Sequence, residues 1–313
     1  HDQVRAMMKT LKAERPIPGN SIQITGGEPM LRDDITDLIK IMKQEGVDHV
    51  QMNTNGIRHA LDPEAAREVR LAGCNNLYLS FDGVTARTNP KNHWEIPFAL
   101  DSCRKTGTTV VFVPTVIKSI NDHELGGIIR YAQKNMDVVH AVNFQPVSLT
   151  GRMGKAEIRS GKNKYFTMLE VVRKLSGFVD KKKQPAGLDL AKMFGNILMK
   201  RSFDAVGSWH VKGLFLGMMH FQDKYNEDLE RLQRCDIHYL TPDLRIIPFC
   251  AFNVIPEWYR DRIQKKYSIS VEEWEQREGV KLEDGLYRGL MRRGKGDELA
   301  AGCAKSQMMH EAS

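Results

Sequence analysis

Three short segments carry the residues most able to do chemistry in this 313-residue chain: Gly26-Gly27-Glu28-Pro29, Asn53-Thr54-Asn55-Gly56 and Ser80-Phe81-Asp82-Gly83. Each sets a carboxylate or an amide beside glycine. Glycine lets a backbone approach a ligand because no side chain stands in the way. A neighbouring carboxylate can hold a cation through charge-assisted hydrogen bonds. Glu28 to Asn55 is 27 residues, and Asn55 to Asp82 is again 27. Any one segment reads equally well as turn punctuation, since Asn-Gly and Asp-Gly are common in loops. The regular repeat makes one shared site the better reading.

The elements that must position these residues follow from hydrophobic periodicity. Strands are predicted over 20–24, 48–53, 76–81, 109–116 and 139–145, alternating with helices over 33–45, 62–72, 95–106 and 122–135. A further helical pattern covers 1–13, with Val4, Met7, Met8 and Leu11 apolar. The helix over 33–45 puts Ile35, Leu38, Ile39 and Met42 on one face, and Thr109-Val110-Val111-Phe112-Val113 is the kind of run that reads as a buried strand. This pattern predicts a parallel sheet with helices outside it and right-handed crossovers. Glu28, Asn53, Asn55, Ser80, Asp82 and Gln145 all fall at C-terminal strand ends, where parallel α/β folds bind ligands. The repeat spans 1–150. A mostly helical connection over 151–232 follows, with a loop at Gly151–Gly154 and helices over 163–176 and 189–201. A C-terminal α+β extension over 233–313 holds a strand-turn-strand around Thr241-Pro242-Asp243 and a charged helical tail.

Composition bounds the class. Hydrophobic content of 41% and charged content of 27% are ordinary for a globular chain long enough to bury a core. The longest apolar stretch, Leu214–Met219, is far too short to span a membrane and reads as a buried helix or strand. The net charge of +7 suits anionic partners. No arginine-aromatic clustering points to nucleic acid, and the basic stretch Lys155–Lys183 reads as a solvated helical face. Five cysteines, Cys74, Cys103, Cys235, Cys250 and Cys303, are too sparse and too odd in number for a secreted disulfide framework, which points to a reducing cytosolic setting. The chain opens on His1, already in a helical pattern, and reads as a fragment of a longer protein.

The ordered set Gly-Gly-Glu-Pro, Asn-Thr-Asn-Gly and Leu-Ser-Phe-Asp-Gly resembles the radical S-adenosylmethionine (SAM) superfamily over residues 1–150. The resemblance implies a partial (β/α)6 barrel. It implies a [4Fe-4S] cluster held by a Cys-x3-Cys-x2-Cys loop after the first strand, with SAM chelating the fourth iron, and a 5′-deoxyadenosyl radical that abstracts hydrogen from an unactivated carbon. By this resemblance Gly26, Gly27 and Glu28 receive the methionine amino group. Asn53 or Asn55 and Ser80 or Asp82 meet the carboxylate and ribose, and Pro114–Lys118 and Val142–Gln145 lie near adenine and substrate. The chain has no Cys-x3-Cys-x2-Cys. Since five strands are counted where the family has six, the first strand and the cluster loop are expected upstream of His1. The rival reading is a degenerate, cluster-free homologue. Cys74 and Cys103 are expected to be buried small hydrophobes.

Met219-His220-Phe221-Gln222-Asp223, Arg234–Tyr239 and Thr241–Cys250 resemble the tetraether lipid synthases of that superfamily. This implies coupling of lipid alkyl chains, an apolar channel lined in part by Leu214–Met219 and Met193–Leu198, and a reductant such as ferredoxin or flavodoxin. It also implies peripheral contact with the inner face of a membrane through a basic surface. Cys235 and Cys250 flank a hairpin and are expected to ligate an auxiliary iron-sulfur cluster, with Cys303, His220 or His238 as further ligands. The alternatives are a peptide maturase or pterin methylase on the same barrel, or a SAM-binding scaffold without the cluster.

Overall fold

The computed structural model describes residues 1–150, 170–171, 173–174 and 213–285. The first unit runs α1 (Asp2–Ala13), β1 (Ser21–Ile24), a 3-10 turn (Pro29–Leu31), α2 (Ile35–Gln44), β2 (His49–Thr54), α3 (Ile57–Leu61), α4 (Pro63–Ala72) and β3 (Cys74–Leu79). It continues with α5 (Ile96–Thr106), β4 (Thr109–Phe112), β5 (Thr115–Val116), α6 (Leu125–Lys134) and β6 (Val139–Pro146). After the undescribed stretch come β7 (Phe215–Met218), α7 (Leu229–Gln233), β8 (His238–Leu240), β9 (Ile246–Pro248), α8 (Phe249–Val254), α9 (Arg260–Tyr267) and α10 (Val271–Glu278).

The strands pair in the order β1-β2-β3-β4-β6, all parallel, with β5 extending the β4 side of β6. Val142 of β6 pairs with Phe112 on one side and Leu216 of β7 on the other, so β7 is a sixth parallel position. A monotonic strand order with crossovers of one hand keeps the helices on one face, as in a barrel wall rather than a doubly wound sheet. The architecture is therefore a partial (β/α)6 barrel. β7 corrects the count of five strands, and it lies within the stretch expected to be mainly helical. Leu214–Met219 is a strand whose Phe215 and Leu216 are exposed.

One hydrophobic cluster seats the helices on the sheet. It joins Ile35, Ile39 and Met42 of α2, Val69 of α4, Leu100 of α5 and Ile128 of α6 to Val50, Met52, Leu77, Leu79, Phe112, Val142 and Phe144 of the strands. Burying this face drives assembly of the wall. Cys74 and Cys103 are buried in the same cluster, and burial pushes both thiols up to about 12, so they act as small apolar residues. β3 ends two residues earlier than the predicted 76–81. Phe81 leaves the ladder to stack on Phe112 and Tyr131, with ring centroids 4.5 and 5.1 Å apart. The predicted strand over 109–116 breaks at Val113-Pro114, because proline has no N–H to donate to a ladder.

The C-terminal unit is a β8–β9 hairpin followed by short helices, with Ile247, Ala251 and Ile263 as its own small core. Thr150 Oγ1 donates to Asn253 O (2.6 Å), and Leu149 N donates to the fully buried Asp223 (2.8 Å), which knits this unit to the end of β6. Of the helix predicted over 163–176, Glu170, Val171, Arg173 and Lys174 are described and helical. The Gly151–Gly154 loop, the helix over 189–201, Met193–Leu198 and Cys303 lie outside the described residues. Among the described residues no helix is long and apolar enough to cross a membrane.

Candidate functional site

Glu28 anchors the site. It caps the 3-10 turn that Pro29 opens, and its Oε1 accepts from Met30 N (3.1 Å) and from Thr54 Oγ1 (2.7 Å). Its Oε2 accepts from Asn55 N (2.8 Å). A carboxylate offers roughly four acceptor positions. Protein donors fill three of them, and the one left, on Oε2, is what an amino N–H needs. The capping role and the ligand role therefore coexist. Gly26 and Gly27 are exposed, and neither has a positive φ. A Cβ added to either would meet no described atom within 4 Å. Neither backbone strain nor internal packing calls for glycine at these two positions, whereas approach of a ligand to the backbone does. The residues present thus fit the methionine end of SAM.

The next two strand ends divide their labour. Gly56 takes φ 75° and sits 2.6 Å, measured from an added Cβ, from Leu79 Cδ1, so this glycine is required by turn and packing alike. The Asn55 side chain accepts from Ile57 N (2.9 Å) at the start of α3, while its backbone serves Glu28. Asp82 is committed on both oxygens: Oδ1 accepts from Thr115 N and Oδ2 pairs with Lys91 Nζ, both at 2.8 Å. It braces the end of β3 against β5. Among the described residues the side chains of Asn53, Ser80 and Gln145 find no protein partner, and all three are half-buried. Of the alternatives at each strand end, Asn53 and Ser80 are the ones whose side chains remain uncommitted.

Several residues of the site gave no signal of this kind in the sequence. Thr54, Asn92, Asn121 and Glu124 are all buried. Asn92 Nδ2 donates to the carbonyls of Asn55 (2.6 Å) and Ser80 (2.9 Å), and Asn121 Nδ2 to those of Asp82 (2.8 Å) and Thr115 (2.7 Å). Glu124 accepts from Val84 N (2.6 Å), Thr88 Oγ1 (2.7 Å) and Thr85 Oγ1 (2.7 Å), holding the loop after Asp82 against α6. Burial alone would raise the Glu124 carboxyl, but these hydrogen bonds together bring it below its ordinary value. A Cβ on Gly83 would collide with Thr88 and with the Glu124 carboxylate, so that glycine belongs to the same strap.

Below these strand ends, the face of the sheet away from the helices is rich in amides. Register places Gln23 beside Gln51, Gln51 beside Asn76, Asn53 beside Tyr78 and Asn143 beside Gly217. Gln51 Nε2 donates to Gln23 Oε1 (2.5 Å), and His49 Nε2 lies 3.1 Å from Asn76 Oδ1. The run Thr109–Val113, expected as a buried strand, alternates half-buried and buried residues in β4, and β2 does the same along its whole length.

Cys235 and Cys250 do come together, flanking the hairpin where Phe249 N donates to Ile237 O (2.8 Å). Cys250 lies in α8 and not in a strand, and accepts from Gln222 N (3.4 Å). Burial pushes its thiol up, and the nearness of Cys235 adds to this. Among the described residues no group of three or more His, Cys, Asp or Glu could hold a metal ion. The described residues therefore do not provide a [4Fe-4S] ligand set, and His220 and His238 do not complete one with the two cysteines.

A wall of parallel strands with a Gly-Gly-Glu clamp and amide-bearing strand ends is the signature of a SAM-dependent radical enzyme, and the family model of the radical SAM superfamily matches residues 1–132. The chain belongs to the radical SAM superfamily, whose enzymes work through SAM and a [4Fe-4S] cluster. It is similar to the 7,8-dihydro-6-hydroxymethylpterin dimethyltransferase of Methanocaldococcus jannaschii, at 30% identity, over 90% of this chain and 75% of that protein. It is similar to the GTP 3',8-cyclase of Clostridium acetobutylicum at 27% identity, over 45% of this chain and 46% of that one. Among solved structures, the Methanocaldococcus infernus Elp3 aligns over 57% of this chain and 50% of its own, with a TM-score of 0.39 and 12% identity. A radical SAM methyltransferase from Sphaerobacter thermophilus aligns over 64% and 51%, with a TM-score of 0.37 and 16% identity.

Proposed function

We propose that the chain is the core of a radical SAM methyltransferase acting on a flat, amide-edged heterocycle of the pterin class. The observation that carries this reading is the amide face of the sheet. Gln23, Gln51, Asn53, Asn76, Asn143 and Gln145 offer donors and acceptors without net charge. A fused ring with lactam and amino edges can satisfy them, whereas an alkyl chain laid on them would cover amides such as Asn53 and Gln145, which have no partner among the described residues, at a cost of roughly 1–3 kcal/mol each. The similarity to a pterin dimethyltransferase over three quarters of that protein supports the same substrate class.

In this reading Gly26, Gly27 and Glu28 hold the methionine amino group, Asn53 and Ser80 meet the carboxylate and ribose, and Gln145 borders the adenine and substrate. Bound SAM, reduced at the cluster, supplies a carbon-centred radical able to take hydrogen from an unactivated C–H bond. The protein's share is to orient SAM against the substrate and exclude water. The cluster ligands are assigned to sequence upstream of His1, a ferredoxin or flavodoxin supplies electrons, and Cys235, Cys250 and Cys303 are offered as ligands of an auxiliary site. Coupling of lipid alkyl chains is the second reading. It is favoured by the exposed Phe215 and Leu216 at the sheet edge and by the basic surface, which would meet anionic headgroups.

The deciding experiment is anaerobic titration of the full-length reconstituted protein with a dihydropterin and, separately, with dispersed dialkyl phospholipid. Saturable pterin binding that Gln51→Leu weakens by about tenfold is expected. Lipid-dependent SAM cleavage with no pterin binding would reverse the order of the two readings.

A further inference from the structure

The ends of β2 and β3 run past their last ladder bonds, and one side chain joins them. Asn92, 0% exposed, donates from a single Nδ2 to Asn55 O and Ser80 O. One strand pair further on, Asn121 does the same for Asp82 O and Thr115 O. The two clamps differ in one respect. Asn121 Oδ1 accepts from Ile117 N (2.8 Å), while Asn92 Oδ1 has no partner among the described residues. A buried amide that leaves its own acceptor unmade is poor for stability. A position kept that way is better explained by what its donor fixes. Here the donor fixes the separation of the two strand ends that carry Asn53, Asn55 and Ser80.

We propose that Asn92 is a positioning residue for SAM: by drawing the Asn55 and Ser80 carbonyls onto one NH2 group, it sets the spacing of the strand ends that receive the methionine carboxylate and the ribose. The proposal rests on the SAM site described above and is independent of the substrate.

Asn92→Asp tests it through pH. The introduced carboxyl, when protonated, can still donate to one carbonyl, whereas in its ionised form it turns only acceptors toward two carbonyl oxygens. Burial raises a carboxyl pKa, which brings this titration toward neutrality. SAM binding to the full-length holoprotein is measured by equilibrium dialysis between about pH 6 and 8.5, alongside thermal unfolding, with N92D expected within about threefold of wild type at the acid end and about tenfold weaker at the alkaline end. Wild type should change by less than about threefold over the same range. A variant that melts earlier at high pH but binds SAM as wild type does would overturn the proposal, because a merely structural role moves the melt and not the affinity of the folded protein. If N92D does not fold, Asn92→Ser replaces it. Its shorter hydroxyl reaches at most one carbonyl, so about tenfold weaker binding is expected, and unchanged binding would overturn the proposal. Failure of wild type to bind SAM would instead strike the site itself, and the clamp with it.

Discussion

Replacing Gly27 by alanine separates a structural glycine from a ligand-facing one. At Gly27 an added Cβ meets no described atom within 4 Å, and the backbone does not occupy the left-handed region. A Gly→Ala change that fits its backbone stabilises by about 0.4–1 kcal/mol, because the unfolded chain loses freedom. The methyl would, however, stand where the methionine end of SAM approaches. Loss of one charge-assisted hydrogen bond between the methionine amino group and the Glu28 carboxylate is worth about 1.5–3 kcal/mol, or roughly tenfold to a hundredfold in affinity. Gly56→Ala is the control, since its Cβ would lie 2.6 Å from Leu79 Cδ1 at φ 75°. Strain and overpacking there should cost about 1–3 kcal/mol. The assay pairs chemical denaturation with SAM binding by calorimetry. The expected pattern is a Gly27→Ala protein at least as stable as wild type with SAM binding weakened by roughly tenfold to a hundredfold, beside a Gly56→Ala protein that is plainly destabilised. A destabilised Gly27→Ala, or a stable one that binds SAM normally, would refute the reasoning.

Three further outcomes are expected. Glu28→Gln sets an NH2 among the donors Met30 N, Thr54 Oγ1 and Asn55 N, so it should cost about 1–3 kcal/mol in denaturation as well as SAM affinity. His59 is 2% exposed, and burial, with a smaller push from Arg58, lowers its pKa from 6.5 to about 4. The unfolded chain therefore takes up a proton first as pH falls, so stability held above pH 6.5 is lost between there and about pH 4, on the order of 3 kcal/mol in all. Urea melts across this window should show the loss, and a His59→Leu protein should not show that part of it. Cys235→Ser and Cys250→Ser should each lower iron bound per reconstituted full-length chain; unchanged iron in both would remove them as ligands.

Much of the wall was legible because its signals are local. Ile35, Leu38, Ile39 and Met42 recur at helical spacing, and the 27-residue interval is close to the offsets at which β1, β2 and β3 pair side by side, Ile24 with Met52 and Gln51 with Asn76. What stayed hidden is non-local. Leu214–Met219 has no period that tells a strand from a buried helix, and its partner β6 lies about 70 residues earlier, so only the folded sheet settles it. Asn92 reads as a loop residue after Pro90-Lys91, yet its bonds reach back 37 and 12 residues. Asp82 was legible only in part: a carboxylate at a strand end serves a ligand or a brace equally well on sequence grounds, and the folded chain adds the brace through the N–H of Thr115 and the ammonium of Lys91.

The bonds that close the top of the sheet are also the bonds that shape the site, and this couples the two. Glu28 ties β1 to β2, Asn92 ties β2 to β3, and Asp82 with Asn121 ties β3 to β5. Each link is a side chain reaching a backbone group at the end of the regular ladder, where bonds such as Ser80 N to Thr54 O (3.1 Å) support it from one side only. Such a rim is free to open locally at less cost than the core beneath it, where Met52, Leu77, Leu79 and Phe112 are wholly buried. A ligand that bridges Glu28, Asn53 and Ser80 binds only the closed rim, and so stabilises it by RT ln(1 + [L]/Kd). Slowed hydrogen exchange on adding SAM should therefore be confined to the N–H groups of Met30, Asn55, Gly56 and Ser80, leaving the core strands at their global rate. Protection spread evenly over the sheet would mean that the rim and the core open as one unit, and that the strand-end bonds do not form a separable device.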